Sequence, residues 1–122
     1  MKKFELDLSK YEVEVYVPMP TEKNPHAMGL VKQEYPLRAN LSGWLRGVGV
    51  FKSAEDIAEA VGLAKEIRNC EGNSLELDER ETGVLKQAVN RLVELTAEGK
   101  ANLGGEIHEE AIVRVMRMKE VK

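Results

Sequence analysis

Ser74-Leu75-Glu76-Leu77-Asp78-Glu79-Arg80-Glu81, running on to Leu95, is the stretch on which the reading of the fold turns. Leu75 and Leu77 share one side of an extended segment, so an apolar period of two gives way to a helical period across Asp78. Asp78 can accept backbone N–H bonds as an N-cap, and Glu81, three residues later, can reach back to complete a capping box. A short strand handing over to a capped helix from Glu79 is therefore predicted. In that helix Val84, Leu85, Ala88, Val89, Leu92 and Leu95 form one apolar stripe, opposite Lys86, Gln87, Asn90, Arg91 and Glu94. Gly83 weakens it by up to about 1 kcal/mol relative to alanine and is read as tolerated. Capping accounts for Asp78 and Glu81, and Glu76 and Glu79 are left to solvent.

Upstream of this stretch the patterning is β-like. Tyr11, Val13, Val15 and Val17 alternate with Glu12, Glu14 and Tyr16, as in a strand with one wet face. Pro18-Met19-Pro20 ends it, since proline cannot donate to a ladder, and Asn24-Pro25 sits in a connecting loop. A second strand from Met28 to Tyr35 completes a hairpin with a long connection, and Phe4 to Leu8 is read as extending its first arm. Leu37, Leu41, Trp44 and Leu45 then recur at helical spacing after Pro36, giving a short helix over about 37–46. Gly47-Val48-Gly49-Val50-Phe51 is a connector. Ser53 with Asp56 caps a further helix whose inward residues are expected to be Ile57, Val61, Ala64 and Ile67, stopping near Cys70. Gly99 to Gly105 is expected to be a mobile loop. A last helix over Glu106 to Met118, carried by Ile107, Ala111, Ile112, Val115 and Met118, is preferred to a strand there.

The fold class is therefore α+β, an N-terminal antiparallel hairpin packed against three or four helices. A length of 122 residues suits a single domain over 1–122, with a hairpin region at 1–36 and a mainly helical region at 37–122.

Composition narrows the function classes. A formal net charge of -3 argues against generic nucleic-acid binding, which displaces counterions with a basic face. The last residues are locally basic, however, with Arg114, Arg117, Lys119 and Lys122 against Glu120. Cys70, the single cysteine, cannot form an internal disulfide, which fits a reducing, cytoplasmic setting. No long apolar run follows Lys2-Lys3, so no signal peptide is expected, and no run of ~20 apolar residues predicts a membrane span.

Motifs that would carry chemistry fall short. Gly47-Val48-Gly49-Val50-Phe51-Lys52-Ser53 has the parts of a phosphate loop, but Phe51 and Arg46 stand where the glycines of a Walker A loop belong. The third glycine of a dinucleotide fingerprint is also missing, at Lys52. His108-Glu109-Glu110 lacks the second histidine of a zinc-hydrolase helix, because Ile112 occupies that position. His108 is read as an exposed helix-start residue and Cys70 as an inert thiol half-packed beside Ile67. No catalytic residue, metal or cofactor is assigned, and the chain is not expected to be an enzyme. Tyr35, Arg38 and Trp44 are the candidate protein-contact residues, since aromatic and arginine side chains concentrate at binding hot spots.

Glu34-Tyr35-Pro36-Leu37-Arg38-Ala39-Asn40-Leu41, followed by Ser74 to Lys86, resembles a pattern in small uncharacterised proteins of tailed bacteriophages and prophages. The resemblance implies a phage accessory or morphogenesis protein working through protein contacts, and it transfers no catalytic motif. The expected function is a non-catalytic protein-binding or assembly module. Self-association is anticipated through an open sheet edge at Tyr11 to Val17. The alternative is a small regulator binding nucleic acid through Arg114, Arg117, Lys119 and Lys122.

Overall fold

The computed structural model describes residues 2–47, 49–103 and 106–122. Its first strand, β1 (Lys3–Asp7), alternates Phe4 and Leu6 with Lys3, Glu5 and Asp7, which suits a sheet wet on one face only. β1 is the middle strand of a three-stranded antiparallel sheet, flanked by β4 (Ser74–Asp78) and β5 (Lys119–Val121). Phe4 stands opposite Leu77 and Leu6 opposite Leu75, so these four point to the helices, and Leu6 and Leu77 are fully buried. Lys3, Glu5 and Asp7 meet Asp78, Glu76 and Ser74 on the outer face.

Phe4 to Leu8 therefore does not extend the hairpin. Its apolar side is satisfied by β4, far along the chain, and the turn at Asp7–Ser9 separates β1 from the next strand. Asp7 Oδ1 accepts bonds from the Ser9 N–H at 2.9 Å and the Ser9 hydroxyl at 2.6 Å. The expected hairpin is present as β2 (Glu12–Pro18) and β3 (Met28–Glu34), which form a separate two-stranded sheet. Its loop closes through the Met19 N–H to the Ala27 carbonyl at 2.8 Å, and Gly29 leaves room for the Met19 thioether.

Four helices are found among the described residues: α1 (Leu37–Leu45), α2 (Ala54–Asn69), α3 (Glu79–Ala97) and α4 (Glu109–Met116). Ser53 caps α2 by accepting the Asp56 N–H at 3.1 Å. At α3 the capping box is complete: Asp78 Oδ1 accepts the Glu81 N–H at 2.8 Å, and Glu81 Oε1 accepts the Asp78 N–H at 3.1 Å. α3 is the hub of the helical layer, touching α1, α2, α4 and β1, and its Leu85, Ala88 and Val89 are buried. No atom crowds Gly83, as tolerance requires.

Three expectations are corrected. The buried stripe of α2 runs through Ala60, Leu63, Ala64 and Ile67, and Ile57 is exposed, because it precedes the turns of α2 whose small and apolar residues close against α1 and α3. The segment after α3 is tied down at Leu103, which is buried and whose N–H bonds the Thr96 hydroxyl at 2.8 Å. Gly104 and Gly105 lie outside the described residues. The last helix begins as a 3₁₀ turn at Glu106–His108 and ends at Met116, and the chain then turns into β5 against β1. Of the glycine connector, Val48 lies outside the described residues, while Gly49 adopts a φ of 80° that favours glycine. No described helix is long and apolar enough to cross a membrane.

Candidate functional site

β2 and β3 pair in a register that puts Val13 opposite Gln33, Val15 opposite Val31, and Val17 opposite Gly29 on one face. On the other face Glu12 meets Glu34, Glu14 meets Lys32, Tyr16 meets Leu30, and Pro18 meets Met28. This second face is charged near the body and apolar toward the tip. Tyr16 is 71% exposed, Met28 55% and Leu30 50%. No residue within either strand is fully buried: Val13 packs on the core, the valine face is half-buried and the other face is exposed, so the hairpin projects as an arm attached at its root. Tyr16, Leu30 and Met28 thus form an exposed apolar cluster beside charged residues of the same face.

The arm is held at its root by an aromatic joint. Tyr11 and Tyr35, just outside the ladder, stack at 5.2 Å between ring centroids, and Arg114 of α4 lies 4.5 Å over the Tyr11 ring. Arg114 Nε also meets Glu110 at 3.0 Å, and its Nη1 donates to the Ser9 carbonyl at 2.8 Å. The Tyr35 hydroxyl and His108 Nδ1 are 2.6 Å apart, and the His108 ring stands edge-on to Tyr35 and Trp44.

Burial governs the titration of this joint. It pushes the Tyr11 phenol up to about 12 and raises Tyr35 as well, while it lowers the His108 imidazole. The phenols are thus held protonated and the imidazole is held neutral at physiological pH. The Tyr11 hydroxyl faces the Ala111 backbone but reaches no partner in hydrogen-bond geometry.

The candidate residues from the sequence are therefore distributed differently from the expectation. Tyr35 is 2% exposed and belongs to the joint rather than to a surface patch, because its ring is covered by Tyr11 and His108. Arg38 donates to the carbonyls of Cys70 and Gly72, tying α1 to the end of α2, and Trp44 is half-buried beside His108. His108 is half-buried rather than exposed, because the arm's root packs onto the start of α4. Cys70 is half-packed, its thiol directed at the carbonyls of Gly72 and Ser74. Arg114 is consumed by the joint, while Arg117, Lys119 and Lys122 are exposed.

Two grooves flank α3. One, between Val50–Lys52 and α3, interleaves Lys52, Lys86 and Arg91 with Asp56 and Glu94. The other gathers Glu59, Glu66 and Glu81 around Arg80, where burial and the neighbouring Glu66 push the Glu81 carboxyl up. Neither concentrates a single charge sign on a buried polar group.

Sequence reasoning missed the Tyr16, Leu30 and Met28 cluster. The alternation of β2 and β3 was visible, but the cluster depends on cross-strand register, which a nine-residue connection leaves open. Comparison with protein-family models, with curated proteins and with solved structures returned no match for this chain.

Proposed function

We propose that this chain is a non-catalytic protein-binding or assembly module whose contact surface is the outer half of the β2–β3 arm. The observation that carries this reading is the exposed cluster of Tyr16, Leu30 and Met28 on the outer face of a separate two-stranded sheet, none of whose residues is buried. An isolated hairpin is marginal in water, so a surface that buries it supplies stability that the free arm lacks. The joint serves this role by fixing the arm's direction: a guanidinium over a stacked tyrosine pair orders the root without covering the tip. The resemblance of the Glu34–Leu41 and Ser74–Lys86 segments to small phage proteins points the same way, toward an accessory or morphogenesis role in the cytoplasm of an infected cell.

The test is a double substitution, Tyr16→Ser with Leu30→Ser. Both side chains are exposed, so the melting temperature is expected to stay close to that of the parent. Capture of a partner by immobilised protein, whether a second copy or another protein, is expected to fall at least tenfold. Equal capture by parent and variant, at equal stability, would overturn the assignment of the surface to the arm.

A further inference from the structure

We infer that the partner of the arm is a second copy of this chain, joined antiparallel along the free edge of β3 about a two-fold axis at Val31. This rests on the arm being the contact surface.

The backbone dictates which groups are free. The Met19 N–H bonds the Ala27 carbonyl and the Tyr35 N–H bonds the Tyr11 carbonyl, so hydrogen-bonded pairs fall at Val17–Gly29, Val15–Val31 and Val13–Gln33. The alternate residues of β3, Met28, Leu30, Lys32 and Glu34, turn their N–H and C=O groups away from β2. All four carry an amide proton. On the corresponding edge of β2, Pro18 has none, and the 3₁₀ turn at Glu106–His108 packs against that strand. β3 is thus the more complete and more open edge.

The side chains then select a register. Val31 is the midpoint of β3, so pairing about it uses the whole strand. Leu30 of each copy faces Lys32 of the other, and Met28 faces Glu34, so no like charges stand directly opposite one another. Leu30 and Lys32 exchange both amide bonds, as do Met28 and Glu34. On one face the valines at 15 and 31 of both copies form a continuous row across four strands. On the other, Lys32 lies between Glu14 of its own β2 and the Leu30–Tyr16 pair of the second copy, where its stem covers apolar surface and its ammonium can approach the ring. Centring on Lys32 instead would bring two ammonium groups together. Centring on Leu30 would leave Glu34 outside the ladder. Pairing also removes an exposed edge that an unprotected hairpin would otherwise present.

The register places Val31 directly opposite itself in a non-hydrogen-bonded pair, about 4.5 Å between Cα atoms, a spacing that a disulfide accommodates. In a Cys70→Ser background, Val31→Cys is expected to form a disulfide-linked dimer under mild oxidation at micromolar protein, and Val15→Cys is expected to remain largely uncrosslinked. Lys32→Pro removes an outward amide without touching the β2–β3 ladder, and is expected to convert a dimeric mass in light scattering to a monomeric one. Crosslinking through Val15 rather than Val31 would overturn the choice of edge, and a monomeric parent with no crosslink at Val31 would overturn the inference. In that second case the arm reading stands if capture of another protein still depends on Tyr16 and Leu30, and it falls with the inference if it does not.

Discussion

The two sheets are built from similar chemistry and meet opposite fates. β1 and β4 alternate Phe4, Leu6, Leu75 and Leu77 with polar residues, and β2 and β3 alternate Val13, Val15, Val17 and Val31 in the same way. Leu6 and Leu77 are 0% exposed, yet no residue within the hairpin strands is buried. The difference is what lies against the apolar side. α3 and α4 rest on β1, whereas the hairpin ladder, among the described residues, meets the 3₁₀ turn and, through Val13, the edge of the core, with an aromatic joint at its root. Alternation therefore reports the capacity of a strand to be half-buried, and tertiary packing decides whether that capacity is used.

The strongest way to probe this contrast is to open the covered sheet. Leu6→Ala is expected to cost about 2–5 kcal/mol, as for a fully buried leucine whose site cannot collapse completely, measured by urea unfolding. The next probe is the joint. Arg114→Ala removes a charged donor to the Ser9 carbonyl and the cation over Tyr11, and is expected to cost about 1–3 kcal/mol. Its signature is regional: amide exchange should accelerate across β2 and β3 far more than across β1 and β4. Uniform acceleration would mean that the arm and the body are a single cooperative unit.

The smallest effect is a pH dependence at the same joint. Burial lowers the folded-state pKa of His108 below its ordinary 6.5, so its neutral form contributes stability that is fully present above about pH 6.5. That contribution is lost as pH falls through the lowered folded value, because the unfolded chain takes up the proton first. Glu81, pushed up by burial, works in the opposite sense: its contribution is present at low pH and lost as pH rises through its folded value. Comparing the parent with His108→Gln isolates the histidine. The difference in melting temperature between the two should change between pH 7 and pH 5, and a constant difference would remove His108 from the account.

What the sequence made legible was what neighbours along the chain decide. Ser53 with Asp56 and Asp78 with Glu81 mark helix starts through side chains acting three residues away, and both caps form as read. The hairpin strands and the four helices were legible for the same reason. The pairing of β1 was not, because its partners lie at Ser74–Asp78 and Lys119–Val121 and nothing local in Phe4-Glu5-Leu6 names them. β5 was hidden as well: three exposed residues, Lys119 to Val121, carry no periodicity to read. At the candidate site, Tyr35, Arg38 and Trp44 were drawn together by residue type, but Tyr35 turns inward with its stacked neighbour. The exposed apolar cluster lies instead at the hairpin, on its other face and farther out, where register alone assembles Tyr16 with Leu30.

The central position of β1 has a consequence for the order in which the molecule is made. Lys3 pairs with both Asp78 and Val121, so the three-stranded sheet closes only after nearly the whole of this sequence has been translated. At ribosomal speeds β1 waits on the order of ten seconds for β5, whereas β3 follows β2 within roughly a few seconds. Within this sequence the hairpin is the first β-pairing that a growing chain can complete. Its root, however, is held by His108 and Arg114, so a nascent arm can pair early yet stays unanchored until α4 has been made.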